Sequence, residues 1–109
     1  MHAAIAGWGT AVGEETLTNA DLERRVDTSD EWITERTGIK ERRIAGPDET
    51  TATLAITAAG DAIKHAGITP SDIDLLIVAT ATPEQPIPHT GAFVGEGIGL
   101  SIDEPATSA

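Results

Sequence analysis

The sequence predicts an α/β fold with a mostly parallel sheet and an alanine-rich crossover helix. Residues 51–66 repeat apolar side chains at alternating spacings of four and three, which is typical of one buried helix face. Residues 73–79 end in five consecutive apolar residues, which is typical of a strand covered on both faces. A helix that leads directly into such a strand indicates a β-α-β crossover between parallel strands.

Two short elements are predicted near the start of the chain. Residues 3–12 are mostly apolar and contain glycines, which favours a first strand that runs into a loop. Thr18 and Asp21 have the spacing of a capping box, in which two side chains satisfy the free amides at the start of a helix. They predict a short helix that carries Leu22 and Val26.

A second short helix is predicted by a stronger capping signal. Thr28 is expected to accept a hydrogen bond from the amide of Glu31, whose side chain reaches back to the amide of Thr28. Gly38 is a natural end for this helix. Trp32 and Arg36 are four residues apart, so they share one helix face and place an aromatic ring next to a guanidinium group.

The last part of the chain is expected to hold a ligand-binding loop and a weak helix. Gly67 ends the long helix, and residues 69–72 turn the chain into the strand. Residues 80–89 contain three prolines and follow the strand, at the sheet edge where α/β proteins bind ligands. A glycine-rich helix is expected from Thr90, and the apolar pattern stops from Ser101 onwards.

Composition excludes several classes of function. The 109 residues include no cysteine, which excludes a thiolate metal site and a thiol nucleophile in this chain. The 3 histidines lack the spacing of metal ligands, so no metal site is expected. The net charge of −11 argues against nucleic acid as a partner. The start of the chain lacks the features of a signal peptide, and no stretch is long enough to span a membrane, so we expect a cytoplasmic protein.

Positive charge is concentrated in one segment. Of the 7 lysines and arginines, all but Lys64 lie between Arg24 and Arg43, and four of them lie within residues 36–43. Such a basic cluster favours a site for a phosphorylated or acidic partner. Alternatively, the segment is a solvated turn whose arginines pair with nearby acids. The candidate acids are Asp27, Asp30, Glu31 and Glu35.

Several specific motifs resemble β-ketoacyl-acyl-carrier-protein synthase III. They are Thr18-Asn19-Ala20-Asp21-Leu22-Glu23, Val26-Asp27-Thr28-Ser29-Asp30-Glu31-Trp32-Ile33, Arg36-Thr37-Gly38-Ile39 and Leu76-Ile77-Val78-Ala79-Thr80. The resemblance covers roughly residues 1–100. The second and third motifs together carry most of its specificity.

The resemblance implies a partial thiolase-like half-domain and an acyl-transfer function. Members of the family are homodimers that transfer an acyl group from acyl-CoA to a cysteine. A histidine and an asparagine then assist decarboxylative condensation with malonyl-acyl-carrier protein, in fatty acid or polyketide biosynthesis. The coenzyme A thioester is a substrate, and no covalently bound cofactor is expected.

The resemblance also implies roles for individual residues. In the family, the position of Thr28 contacts the coenzyme A adenine, and the position of Trp32 stacks on it. The position of Arg36 contacts the phosphate-bearing part of coenzyme A. The acyl pocket receives a residue from the partner subunit near the position of Ile87.

The end of the chain departs from the family. The family continues into a strand and an Asp-x-x-x-Ala-Cys-x-Gly-Phe segment, whereas residues 101–109 form a tail that does not match it. We therefore expect residues 1–100 to be the N-terminal part of a thiolase-like domain that holds no catalytic residue. This favours an N-terminal fragment or remnant of the synthase that is inactive alone. The alternative is a non-catalytic module that binds coenzyme A or acyl carrier protein.

Overall fold

The computed structural model of the chain describes residues 1–100 and the backbone of residues 106–108. Four α-helices, four strands and a short 3-10 helix (Pro70–Asp72) are found within these residues. The α-helices and strands are, in chain order, β1 (Glu15–Thr18), α1 (Asn19–Glu23), α2 (Asp30–Thr37), β2 (Glu41–Ile44), α3 (Thr51–Ala66), β3 (Leu76–Val78), α4 (Thr90–Ile98) and β4 (Ala106–Ser108). The chain divides into two compact units, Val12–Asp48 and Met1–Ala11 with Glu49–Ala109.

The unit Val12–Asp48 is built on an antiparallel pair of strands. β1 pairs with β2 in a register that places Thr18 opposite Glu41. The capping box predicted at the start of α1 is present, with the Thr18 side chain bound to the amide of Asp21 and the Asp21 side chain bound to the amide of Thr18. The Thr18 amide and hydroxyl, assisted by the Arg24 guanidinium, hold the pKa of the Asp21 carboxyl below its usual value of 3.8.

The helix α1 is shorter than the prediction. It ends at Glu23, so Val26 lies beyond it and is 57% exposed. Leu22 accepts hydrogen bonds from the amides of Arg25 and Val26, and these bonds turn the chain out of the helix.

The cap of α2 is Ser29, so the prediction of Thr28 was wrong by one residue. The Ser29 hydroxyl accepts a hydrogen bond of 3.1 Å from the Trp32 amide. The Glu23 carboxylate accepts a hydrogen bond of 2.6 Å from the amide of Asp30, which is the first residue of the helix. The predicted end is confirmed, because Gly38 adopts the left-handed conformation with φ of 70°.

The second unit is organised around α3, whose predicted bounds are confirmed. Its first turn is closed by Thr50 and its end by Gly67, which has φ of 68°. The glycines of α4 have a packing role, because a Cβ at Gly97 would lie 2.7 Å from Cγ1 of Ile56. Glycine therefore allows α4 to lie close against α3 although it lowers helix propensity. Within the described residues, no helix is long and apolar enough to cross a membrane.

The predicted strand at residues 73–79 is shorter and less covered than expected. β3 spans Leu76–Val78 and pairs in parallel with β4, so the β-α-β connection of the described residues runs through α4. The predicted crossover through α3 is not formed there, because no strand before α3 pairs with β3. Leu76 and Val78 are half-buried, whereas Ile77 is 60% exposed. Continuous apolar residues do not show which face is covered, so the prediction of burial on both faces was wrong for these residues. Apart from the backbone of β4, the predicted tail lies outside the described residues.

The first predicted strand is not formed. Residues 3–12 have irregular backbone, which lies close against α3 at Gly7 and Gly9. The Trp8 amide and carbonyl each lie 3.3 Å from Nδ1 of His65. The Trp8 and His65 rings also meet edge to face, with centroids 4.2 Å apart. The backbone polar groups are therefore partly satisfied by a helix side chain.

Candidate functional site

The helix α2 presents an aromatic ring and a guanidinium group on one face. Trp32 is 54% exposed, and the Cζ atom of Arg36 lies over its ring at 4.9 Å from the centroid. The adjacent residue Ile33 is buried and anchors the helix. The sequence prediction that Trp32 and Arg36 share a face is therefore confirmed, and the two groups form a cation–π pair.

A depression lies beside Trp32, at the start of α2. It has a volume of about 320 Å³ and is lined by Asp27, Thr28, Ser29 and Trp32. Thr28 is half-buried, and its hydroxyl makes no hydrogen bond within residues 1–100. The structure therefore brings Thr28 and Trp32 together in one concave surface, with Arg36 on the ring of Trp32 and outside the lining.

The basic cluster at residues 36–43 separates into two parts. Arg42 donates to the Leu17 carbonyl at 3.2 Å and to the Asn19 side chain at 2.9 Å. Arg43 donates to the Gly13 carbonyl at 2.8 Å. These two arginines hold the fold together, so neither the partner site nor the acid pairing predicted for the whole cluster describes them. Within residues 1–100, no arginine of the cluster forms an ion pair with any of the four candidate acids.

The exposed basic residues of the cluster are Arg36, Lys40 and Arg43, and of these only the Arg43 side chain makes a hydrogen bond or ion pair within residues 1–100. Arg36 remains available for a ligand because its guanidinium makes no hydrogen bond or ion pair within residues 1–100, so its N–H groups are free to donate. The part of the cluster that suits an anion is therefore the part next to the aromatic ring.

Ile87 lies in the second unit, in the loop between β3 and α4. Its side chain is 81% exposed, and its carbonyl accepts a hydrogen bond of 2.9 Å from the Gln85 side chain. The loop around it is attached to α3, since the Thr51 hydroxyl donates to the Thr82 carbonyl at 2.7 Å. The predicted ligand loop is thus held at its start, while the side chain of Ile87 faces solvent.

Two important residues were missed by the sequence analysis. Asn19 is 1% exposed and lies among α1, α2 and the start of β2; its position directly after the Thr18 cap was the available signal. Glu84 binds the amide of Ala52 and the hydroxyl of Thr90, at the first turns of α3 and α4. An acid in a proline-rich loop before a helix was its only signal.

Metal chemistry has no visible centre in the described part of the chain. No group of three or more histidines, aspartates or glutamates there is arranged to hold a metal ion. The candidate site offers an exposed aromatic ring, a hydroxyl group and one guanidinium group.

Known proteins are similar to this chain in sequence and in fold. The β-ketoacyl-[acyl-carrier-protein] synthase III of Roseiflexus sp. (strain RS-1) is 56% identical over 98 residues, which are 90% of this chain. The crystal structure of 3-oxoacyl-[acyl-carrier-protein] synthase III from Aquifex aeolicus VF5 matches 96% of the chain with a TM-score of 0.83 and 45% identity. The chain belongs to the β-ketoacyl-[acyl-carrier-protein] synthase III family. Models of protein families gave no match.

A solved structure with a different name is also similar to this chain. The priming β-ketosynthase from the R1128 polyketide biosynthetic pathway matches 96% of the chain with a TM-score of 0.89 at 31% identity. These matches confirm the predicted family and the α/β fold class, a partial thiolase-like domain.

The chain spans only part of the synthase III proteins that it matches. It covers 30% of the Roseiflexus protein, 34% of the Aquifex chain and 31% of the R1128 ketosynthase. Its likeness is to the N-terminal portion of these enzymes. The division into a matching part at residues 1–100 and a tail remains a prediction.

Proposed function

We propose that this chain supplies the coenzyme A-binding part of a β-ketoacyl-acyl-carrier-protein synthase III. The observation that carries the proposal is the Arg36 guanidinium lying over the exposed Trp32 ring, beside the depression that contains Thr28. In this proposal the adenine stacks on Trp32, Thr28 hydrogen-bonds to the adenine, and Arg36 contacts the phosphate groups.

The chemistry of the three side chains supports each role. Stacking of a base on an aromatic side chain contributes about 1–3 kcal/mol. A guanidinium group suits phosphate oxygens because its N–H groups form a planar fork. The Thr28 hydroxyl has no other hydrogen-bond partner within residues 1–100, so it is available to the ligand. Together they provide one contact for the face of the adenine ring, one hydrogen bond for its edge and one positive charge for the phosphate groups.

The reaction of the complete enzyme follows from the family. We propose that acyl-CoA donates an acyl group and that malonyl-acyl-carrier protein accepts it in a decarboxylative condensation, for fatty acid or polyketide synthesis. The first relative above carries acyl carrier protein in its name, and the R1128 structure is assigned to a polyketide pathway. We also propose a cytoplasmic homodimer in which Ile87 lies near the acyl pocket.

A second candidate is a binding module without catalytic activity. The observation in its favour is the absence of cysteine from the 109 residues, because the family's acyl-enzyme requires a thiol. In that case the chain would bind coenzyme A or acyl carrier protein without forming an acyl-enzyme.

Calorimetric titration of the chain with coenzyme A tests the proposed site. We expect saturable binding that Trp32→Ala weakens and that Trp8→Ala, at an exposed tryptophan in the other unit, leaves unchanged. Equal affinity in both variants would place binding elsewhere. Size-exclusion chromatography then separates the two candidates, because a stable soluble monomer favours an independent module, whereas self-association favours a fragment that lacks the rest of its domain.

A further inference from the structure

The buried side chain of Asn19 joins several elements of the unit Val12–Asp48 through hydrogen bonds. It is 1% exposed. Its Nδ2 group donates to the Asp30 carboxylate and to the Ile39 carbonyl, both at 2.8 Å, and lies 3.4 Å from the Thr34 hydroxyl. Its Oδ1 atom accepts a hydrogen bond of 2.9 Å from Arg42. A buried amide whose nitrogen and oxygen both have hydrogen-bond partners is costly to replace.

The orientation of this amide follows from its partners. A carboxylate and a backbone carbonyl only accept, so they must face the two N–H groups of Nδ2. Arg42 only donates, so it must face Oδ1. Asn19 therefore faces a donor with its oxygen and acceptors with its nitrogen. Aspartate has no N–H group and leucine has no polar group, so neither residue can form hydrogen bonds on both sides.

These contacts hold α2 at both of its ends. Asp30 is the first residue of the helix, and Ile39 follows the Gly38 cap at its last turn. Asp30 also accepts from the Thr34 hydroxyl at 3.2 Å, so the attachment reaches the middle of the helix. The face that carries Trp32 and Arg36 is thus oriented by a residue that lies outside the helix.

We propose that Asn19 is a positioning residue for ligand binding, which holds α2 so that Trp32 and Arg36 meet coenzyme A together. The proposal rests on the proposed function of these two residues. Asn19 itself does not touch the ligand site, since the depression is lined by Asp27–Ser29 and Trp32. Its role is carried through Asp30 and through the chain after Gly38.

The experiment uses the full chain with Trp8→Phe, so that Trp32 is its only tryptophan. Asn19→Asp keeps the acceptor for Arg42 but loses the donor and places a second carboxylate beside Asp30. The double variant Asn19→Asp, Asp30→Asn exchanges the two groups and restores one amide–carboxylate hydrogen bond. Leu17→Ala is the control, because it removes half-buried apolar contacts from β1 and leaves the side-chain bonds of Asn19 intact.

Three measurements are made on each variant: the unfolding midpoint, the fluorescence anisotropy of Trp32 and the dissociation constant for coenzyme A. We expect Asn19→Asp to lower the anisotropy and to weaken coenzyme A binding about tenfold, the size of one lost hydrogen bond to a charged group. The double variant is expected to recover part of both. Leu17→Ala is expected to lower the unfolding midpoint while its anisotropy and affinity stay close to those of the parent, because the substitution leaves in place the Leu17 carbonyl that Arg42 binds.

The outcomes separate this inference from the proposed function. If folded Asn19→Asp keeps the parent anisotropy and affinity, or if Leu17→Ala changes them equally, the positioning role is wrong. If Asn19→Asp does not fold, the double variant decides, and failure to recover the Trp32 anisotropy overturns the role. If the parent chain shows no saturable binding, the proposed function fails, and the anisotropy alone decides the role of Asn19.

Discussion

The Glu84 carboxylate accepts a hydrogen bond from the backbone amide of Ala52, the second residue of α3. Its other oxygen lies 3.3 Å from the hydroxyl of Thr90, the first residue of α4. The free amides at the start of a helix carry partial positive charge, which favours a carboxylate there. One loop residue therefore links the first turns of two helices that begin 39 residues apart.

We expect the stability of the chain to depend on pH through Glu84. The Ala52 amide, assisted by the Thr50 and Thr90 hydroxyls, holds the pKa of Glu84 below its usual value of 4.5. Its contribution to stability is therefore present above pH 4.5 and is lost as the pH falls through the lower folded-state pKa. Glu84→Gln should lower the melting temperature at pH 7, and the difference from the parent should shrink at acidic pH. Glu96→Gln, which removes the same charge from an exposed position on α4, is the matched control.

Substitutions at Trp32 and Arg36 are expected to weaken coenzyme A binding. Trp32→Ala removes stacking worth about 1–3 kcal/mol. Arg36→Ala removes a hydrogen bond to a charged group worth about 1.5–3 kcal/mol. The matched control for charge is Arg24→Ala, since Arg24 is exposed and pairs with Asp21. Unchanged affinity in both site variants by calorimetry would assign Arg36 to the solvated turn.

We expect no acyl-enzyme from this polypeptide alone. The 109 residues contain no cysteine, so the thiol that the family uses as nucleophile is missing. Incubation with acetyl-CoA followed by intact-mass analysis should show only the unmodified mass. A stoichiometric acetyl adduct that survives denaturation would contradict the prediction, and mapping it would identify an unexpected nucleophile.

Two neighbouring hydroxyls are expected to have different roles. Ser29→Ala should lower the free energy of unfolding by about 1 kcal/mol, because its hydroxyl caps α2. Thr28→Ala should leave stability nearly unchanged, since its hydroxyl makes no hydrogen bond within residues 1–100, but it should weaken coenzyme A binding. Urea unfolding and calorimetry of both variants check this, and the reverse pattern would restore Thr28 as the cap.

Two glycine-to-alanine substitutions should differ in sign or size. Gly60→Ala lies inside α3 with no atom within 4 Å of the new Cβ, so it should raise stability by about 1 kcal/mol. Gly97→Ala makes the same gain in helix propensity, but its Cβ would meet the side chain of Ile56. Displacing that side chain should offset the gain by about 1–3 kcal/mol. Equal unfolding free energies for the two variants would show that α3 and α4 adjust without strain.

Local signals predicted the long helix and the face of α2 that Trp32 and Arg36 share. The spacing of small and apolar residues, with Gly67 as the end, determines α3 within one segment of chain. The pairing of Trp32 with Arg36 follows from helix geometry alone. These features need no information about distant residues.

The features that were missed depend on contacts between residues that are separated in the chain, from seven residues apart for Glu23 and Asp30 to 32 apart for Ala52 and Glu84. Thr28 and Ser29 both suit a helix cap, and the choice follows from the bond between Asp30 and Glu23. The role of Arg43 depends on the Gly13 carbonyl, which lies 30 residues away. Local pattern cannot supply such partners. The same reason applies to Asn19, whose contacts extend from Asp30 to Arg42.

The close approach of the N-terminal segment to α3 determines which substitutions the chain tolerates. A Cβ at Gly7 would lie 2.7 Å from the Ala62 carbonyl oxygen, and one at Gly9 would lie 2.6 Å from the Ala62 amide. Because these neighbours are backbone atoms, no rotamer change can relieve the overlap. In a saturation library scored for folding, we expect Gly7 and Gly9 to accept glycine alone, whereas Ile5, which is 86% exposed, should accept most residues. Mutational intolerance in this segment would thus reflect backbone spacing and would carry no information about ligand binding.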